Sequence, residues 1–229
     1  MAQNLRAEER RPAIAEAVIP VFARHGFVGA TTKKLAEAAG VSEALLYKYF
    51  PSKEAIYQEI VLLLPKRLDS AFWRVGALKP STELLICWTH VYTHRFIFLD
   101  GSEHQEELRN IHRLILNSLK EDGEFARRVF KKVAQEQLVD FQTAYEAAKS
   151  AGDIAPGIVD PTNLFWFAHN TIVMTAYTSL PARPAINYAG TNEELVRQTV
   201  VFVLRGLGMK ERVIAAKYNT KTLALIEKT

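Results

Sequence analysis

Thr32-Lys33-Lys34-Leu35-Ala36-Glu37-Ala38-Ala39-Gly40-Val41-Ser42-Glu43-Ala44-Leu45-Leu46-Tyr47-Lys48-Tyr49-Phe50 is the stretch on which the fold turns. Leu35, Ala36 and Ala39 fall on one side of a short helix, which Thr31 or Thr32 is placed to cap. Gly40 ends that helix, and Ser42 caps a second one from Glu43 to Phe50. Two short helices around a glycine turn make a helix-turn-helix. At about 100° per residue, Leu46 and Phe50 share an inward face. Ala44 and Lys48 then point outward, flanked by Tyr47 and Leu45. That outer face suits a DNA major groove. Ala44 permits close approach, Lys48 reaches phosphate or a guanine edge, and Tyr47 bonds a phosphate or packs on a thymine methyl. A plain helical hairpin with a solvated surface fits the same spacing, and charge does not separate the two. Through residue 60, eight Lys and Arg face seven Glu, a balance of only +1.

Outward from this stretch the periodicity stays helical. Ile14, Val18, Val21 and Phe22 form one stripe of a preceding helix, which Gly26 ends. Pro20 lies off the stripe and predicts a bend, because it has no N–H to offer the carbonyl of Glu16. Ser52 caps a fourth helix carrying Ile56, Ile60 and Leu63, with a possible kink at Pro65 and an end near Ala77. Helices are further predicted over Leu84–Leu99, Glu106–Leu119, Glu124–Ser150, Pro161–Leu180 and Glu193–Leu207, with turn residues between them. Met209–Thr229 reads as a frayed helix or loose tail. No hairpin signal and no repeat interrupts this pattern, so the expected class is all-α.

Composition narrows the function. Of 229 residues 48% are hydrophobic and 24% charged, which is globular composition. Lys and Arg (29) exceed Asp and Glu (25) by 4, and the pI near 9.1 leans weakly toward an anionic partner. A single cysteine, Cys87, excludes an internal disulfide and a thiolate zinc cluster, and it fits a reducing compartment. Residues 2–11 are polar and charged, without the pattern of an export signal. The greasiest stretches, 84–99 and 164–180, are interrupted by His90, His94 and Arg95 and by His169 and Asn170. The expected location is therefore the cytoplasm, with no membrane partner. His90 and His94 stand at i, i+4, a spacing that can hold one metal ion, but Val91 occupies the place where a catalytic zinc helix wants glutamate. There is no phosphate-cradling glycine loop and no GxSxG elbow. No catalytic residue, metal or cofactor is expected, and the chain is not read as an enzyme.

Gly26-Phe27-Val28-Gly29-Ala30-Thr31-Thr32, Leu35-Ala36-Glu37-Ala38-Ala39-Gly40-Val41-Ser42 and Leu46-Tyr47-Lys48-Tyr49-Phe50-Pro51-Ser52-Lys53-Glu54 together closely resemble the DNA-binding domain of TetR-family bacterial transcriptional regulators. The resemblance covers roughly residues 10–60 and extends to the rest only in helical character and length. It implies a homodimer, with a three-helix DNA-binding head over residues 1–54 and a larger helical ligand-binding and dimerisation domain over 55–229. Carried over by position, Thr32 and Lys33 meet phosphate. Ser42, Ala44, Tyr47, Lys48 and Tyr49 form the recognition surface, and Lys53 holds the DNA backbone. Glu43 departs from the family pattern. It either accepts from a cytosine amino group or simply favours the helix N-terminus. Arg6, Arg10 and Arg11, expected to precede the first helix, form either a basic arm for DNA or a solvated end paired with Glu8 and Glu9.

Between residues 84 and 180 aromatics with polar handles are dense, as in either an ordinary aromatic core or an apolar pocket with a few polar groups. Trp88, Tyr92, His112, Phe141, Tyr145, Trp166, Asn170 and Met174 are the candidate ligand-binding residues, suited to a mostly apolar small molecule. The last strong helix is apolar over more than half its circumference through Leu195, Val196, Thr199, Val200, Phe202, Val203, Leu204 and Leu207. It is therefore either a central helix or an interface helix. The resemblance implies that the last two helices pair with their twins in a four-helix bundle, which would place Val200 in the seam. The function expected is a repressor released from a palindromic double-stranded operator by a small effector. The alternatives are a DNA-binding regulator controlled by a protein partner, and an enzyme built on the helical body.

Overall fold

The computed structural model describes residues 7–63, 79–98, 103–157, 159–220 and 223. Its helices are α1 (Ala7–Gly29), α2 (Thr32–Ala39), α3 (Glu43–Tyr49), α4 (Lys53–Leu63), α5 (Thr82–Ile97), α6 (Glu103–Lys120), α7 (Glu124–Ser150), α8 (Pro161–Tyr177), α9 (Asn192–Gly206) and α10 (Glu211–Lys217). Among the described residues the sole extended pairing is one antiparallel bridge between Ile154 and Met209. The protein is all-α. None of the described helices is long and apolar enough to cross a membrane. The expected kink at Pro65 and the helix end near Ala77 lie outside the described residues.

Packing divides the chain into residues 1–68 with 100–133, and 69–99 with 134–229. This grouping does not follow the expected division between residues 54 and 55, because α6 and the start of α7 share a core with the helix-turn-helix.

In the first unit, α1 buries Ile14, Val18, Ile19 and Phe22. Pro20 is exposed, and Val21, expected on the stripe, is only half-buried. Leu35, Leu46, Phe50, Ile56, Ile60, Leu114 and Phe125 close the same core. The Tyr57 ring stands 4.7 Å from Phe22, 4.9 Å from Phe27 and 4.8 Å from Phe125, centroid to centroid. Gly26 breaks the helical path of α1 with φ 66°, a conformation that favours glycine. Arg10 and Arg11 lie inside α1, so they are not an arm ahead of the first helix; Arg6 lies outside the described residues. The helix nevertheless runs through Pro12, its sixth residue, which has no N–H to offer the Glu8 carbonyl.

In the second unit, α5 packs against α8 and α9. The chain after Met209 is not a frayed tail over its described part. Val213 and Ile214 of α10 are buried. Lys217 pairs with Asp153 and Glu83, each at 3.0 Å. The Thr82 hydroxyl donates to Asp153 at 2.7 Å, and with Lys217 it holds that carboxyl below the usual carboxylate range. Val200 is 0% exposed and faces its own subunit's core, which corrects its expected place in a dimer seam. The exposed apolar side chains of these helices are instead Phe167 (59%), Met174 (61%) and Phe202 (66%).

Candidate nucleic-acid interface and effector region

Local hydrogen bonding builds the helix-turn-helix. Thr31 caps α2, its hydroxyl accepting from the Lys34 N–H at 3.4 Å. Gly40 adopts a left-handed conformation (φ 65°, ψ 34°), and the Gly40 and Val41 N–H groups bond back to Glu37 and Ala36. Ser42 caps α3, accepting from the Leu45 N–H at 3.1 Å. Leu46 and Phe50 are buried at 2% and 1% exposure, so the phase of α3 is the one its sequence predicts.

That phase leaves Ser42, Ala44, Tyr47 and Lys48 exposed. The hydroxyls of Tyr47 and Thr32 lie 3.1 Å apart, linking the outer faces of α3 and α2. Lys33 is exposed beside Thr32 at the start of α2. Glu43 occupies the first turn of α3, where a carboxylate interacts favourably with the helix dipole.

Two residues of the expected set are placed differently. Tyr49 is half-buried against the core of the first unit, with its hydroxyl 3.5 Å from the Arg10 guanidinium, so it is turned away from the face of Ala44, Tyr47 and Lys48. The Lys53 ammonium donates to the Phe27 carbonyl at 2.6 Å and sits 4.4 Å over the Phe27 ring. Lys53 therefore ties the start of α4 to the turn after Gly26. Arg11 too is placed differently from its expected position in a basic arm or solvated end. It pairs with Glu59 at 2.6 Å, donates to the Tyr49 carbonyl at 3.0 Å and lies 4.7 Å over the Phe50 ring. A cation at the last carbonyls of α3 complements that helix end. The partners lie 38 to 48 residues away, so no local spacing announces them.

In the second unit the aromatic candidates gather. Trp88 stacks on Tyr92 at 4.9 Å and meets Phe141 edge-on at 5.2 Å. Tyr145 stacks on Phe141 at 6.2 Å, and Trp166 contacts His169 at 5.3 Å. Asn170 and Met174 are exposed on the outer face of α8, which removes them from any pocket beneath it. His112 is buried in the first unit. Phe165 and His169, which the candidate set omitted, belong to the same aromatic cluster, Phe165 5.8 Å from Trp88 and 5.4 Å from Phe141, and His169 5.3 Å from Trp166, while Gln137 is buried on α7 four residues before Phe141. Among the described residues the buried Trp88 indole N–H and Gln137 side-chain carbonyl find no hydrogen-bond partner. His90 bonds with the Tyr218 hydroxyl at 3.0 Å, and His94 stacks on Phe98. Among the described residues no group of three or more His, Cys, Asp or Glu is gathered to hold a metal ion.

Tyr92 and His169 form a buried pair, hydroxyl to Nδ1 at 2.6 Å. Burial pushes the His169 imidazolium down to about 4 and the Tyr92 hydroxyl up. The tyrosine is then the donor and the neutral imidazole the acceptor. Because the folded-state value lies below that of the unfolded chain, the native state gains its advantage above about pH 6.5 and loses it as pH falls toward 4. Urea unfolding at about pH 7 and about pH 4.5 is expected to show about 2–3 kcal/mol of loss carried by this group. His169→Gln should lack that portion of the pH dependence; an unchanged difference would refute the assignment.

Comparison with known proteins agrees with this geometry. Residues 14–60 match the profile of bacterial regulatory proteins of the tetR family. The nucleoid occlusion factor SlmA of Haemophilus ducreyi is 36% identical over 80 residues, which are 34% of this chain and 40% of that protein. The HTH-type transcriptional regulator RutR of Escherichia coli is 46% identical over 48 residues, 21% of this chain and 23% of that protein. These likenesses thus span less than half of either relative. Solved structures match nearly throughout in fold. A TetR transcriptional regulator from Agrobacterium tumefaciens superimposes with TM-score 0.61 at 16% identity, over 90% of this chain and 98% of its own. The TetR-family regulator PfmR of Thermus thermophilus does so with TM-score 0.59 at 20% identity, over 90% and 99%. Residues 14–60 thus carry the helix-turn-helix domain of bacterial regulatory proteins of the tetR family, and the all-helical fold along the chain is the one that TetR-family transcriptional regulators of known structure share.

Proposed function

We propose that the chain is a cytoplasmic, homodimeric repressor that reads a palindromic operator and is released by a small, mostly apolar effector. The observation that carries the DNA half is the exposed face of Ala44, Tyr47 and Lys48, fixed by the burial of Leu46 and Phe50 and braced by the Tyr47–Thr32 contact. In this reading Thr32 and Lys33 take phosphate, Ser42, Ala44, Tyr47 and Lys48 face the groove, and Tyr49 supports them from behind. Lys53 holds the Phe27 carbonyl near the end of α1 and in this reading also meets the DNA backbone from the rim. Residues 1–54 serve DNA, and 55–229 serve the effector and the second subunit. The protein acts by binding and not by catalysis.

The effector half rests on the orphaned Trp88 donor among stacked aromatics and the orphaned Gln137 acceptor one helical turn before Phe141, since buried polar groups are nearly always paired. Trp88, Tyr92, Phe141, Tyr145 and Trp166 remain the residues proposed to hold the effector. Operator and effector favour different conformations, and the difference in affinity sets the switch.

Selection from random double-stranded DNA tests the reading. A two-fold dimer with one recognition helix per subunit is expected to return an inverted repeat with half-sites about 34–36 Å apart or slightly more. A consensus without dyad symmetry would overturn it.

A further inference from the structure

Pro20, Val21 and Ala23 of α1 and Glu106, Asn110 and Arg113 of α6 frame an open cleft of about 600 Å³ within the first unit. Its volume is in the range of small-molecule sites. Arg24 and His25 complete the rim. Arg113 donates to the Glu106 carboxylate at 2.9 Å and to the Asn110 side-chain oxygen at 3.1 Å. The Glu106 side chain is 62% exposed, so this is a rim ion pair of small worth that an incoming anion can replace. Two arginines, Arg24 and Arg113, thus line the cleft together with the apolar Pro20, Val21 and Ala23 of α1.

The seam that forms the cleft is latched at its other end. Residues 106, 110, 113, 117 and 121 recur at helical steps along one side of α6 and the turn that follows it. Asn117 donates to the Ala23 carbonyl at 2.8 Å, and the Glu121 carboxylate accepts from the Phe27 N–H at 3.1 Å. The same carboxylate occupies the space that a side chain at Gly26 would need. The Phe27 carbonyl in turn receives Lys53 of α4. A ligand joining α1 to α6 therefore bears on the helix whose final turn holds the start of α4.

We propose that this cleft is a binding site for a small organic monocarboxylate with a short apolar body. Arg113 and Arg24 take the carboxylate, the former by exchanging Glu106 for the ligand, and the apolar body rests on Pro20, Val21 and Ala23. Planar guanidinium groups match a carboxylate in geometry as well as charge. The site is separate from the aromatic region of the second unit and does not depend on DNA.

Titration calorimetry of the full chain with benzoate tests it, with benzamide as the neutral isostere. Benzoate is expected to bind, and benzamide to bind at least about tenfold more weakly, because it forfeits the charge-assisted bonds. Arg24→Gln and Arg113→Gln are each expected to weaken benzoate about tenfold. Trp88→Phe should leave it unchanged. Absence of benzoate binding, equal affinity for benzamide, indifference to both arginine substitutions, or loss of binding in Trp88→Phe would each overturn the proposal. Arg24 is exposed, so Arg24→Gln decides the matter even if Arg113→Gln does not fold.

Discussion

Phe202→Glu is expected to convert the protein from dimers to monomers at micromolar concentration, and with them to abolish tight operator binding. Phe202, Phe167 and Met174 are 66%, 59% and 61% exposed on α9 and α8, helices that pack together in the second unit. Large apolar side chains on adjoining helix faces are what a subunit interface buries. In a two-fold dimer each substitution acts twice. Losing two buried phenylalanines costs about 3–6 kcal/mol, before the cost of burying two carboxylates, or roughly two to four orders of magnitude in dissociation constant. Sedimentation of the variant beside the unmutated protein checks this. Val200→Glu makes an instructive contrast. Val200 is fully buried within the subunit, so a charge there should unfold the second unit and not merely separate two folded chains. If Phe202→Glu sediments as the unmutated protein does, the dimer uses another surface.

The second large effect separates positions within α3. Leu46→Ala is expected to destabilise the first unit by about 2–5 kcal/mol, since it empties volume beneath the recognition helix. That is a large part of the stability of an ordinary domain. Lys48→Ala and Tyr47→Ala touch only the outer face. They should leave the melting temperature nearly unchanged and cost about 1–3 kcal/mol on the operator, more than on scrambled DNA. Tyr47→Phe keeps the ring and removes the hydroxyl, with its contact to Thr32 and any bond to phosphate, so it should fall between. Lys53→Ala should weaken both DNAs alike and lower the magnitude of the salt slope by about 1. It should also cost some stability, because Lys53 anchors the turn at Phe27. Salt titrations on both DNAs, with melting curves of each variant, decide the assignment. Equal losses on the two DNAs for Lys48→Ala and Tyr47→Ala would leave these residues as positioning contacts and move specificity to Ser42 or Ala44.

Much of the fold was legible because helices announce themselves locally. Thr31, Gly40, Ser42 and Ser52 act within a few residues of themselves, so cap, stop and restart are written where they occur. The spacing of Leu46 and Phe50 sets the phase of α3, and with it the outward set of Ala44, Tyr47 and Lys48. The candidate recognition face was therefore readable almost entire. Arg11, Tyr49 and Lys53 were not, because their partners (Glu59, Arg10 and Phe27) are distant in the chain.

The same distinction runs through the second unit. The sequence by itself determined that residues 161–180 and 193–207 form largely helical, apolar-rich segments. It left open which apolar side meets the core, because a helix with hydrophobic residues around most of its circumference has no unique inward phase. Val200 and Phe202 lie about 200° apart on α9, equally apolar, and only the packing of α9 against α5 and α8 buries the first and leaves the second exposed. Asn170 and Met174 turn outward for the same reason. The polar run after Met209 folds back because Lys217 finds Asp153 and Glu83, 64 and 134 residues earlier. Periodicity encodes which residues share a face; what that face touches depends on contacts between distant segments, and those exist only once the chain has folded.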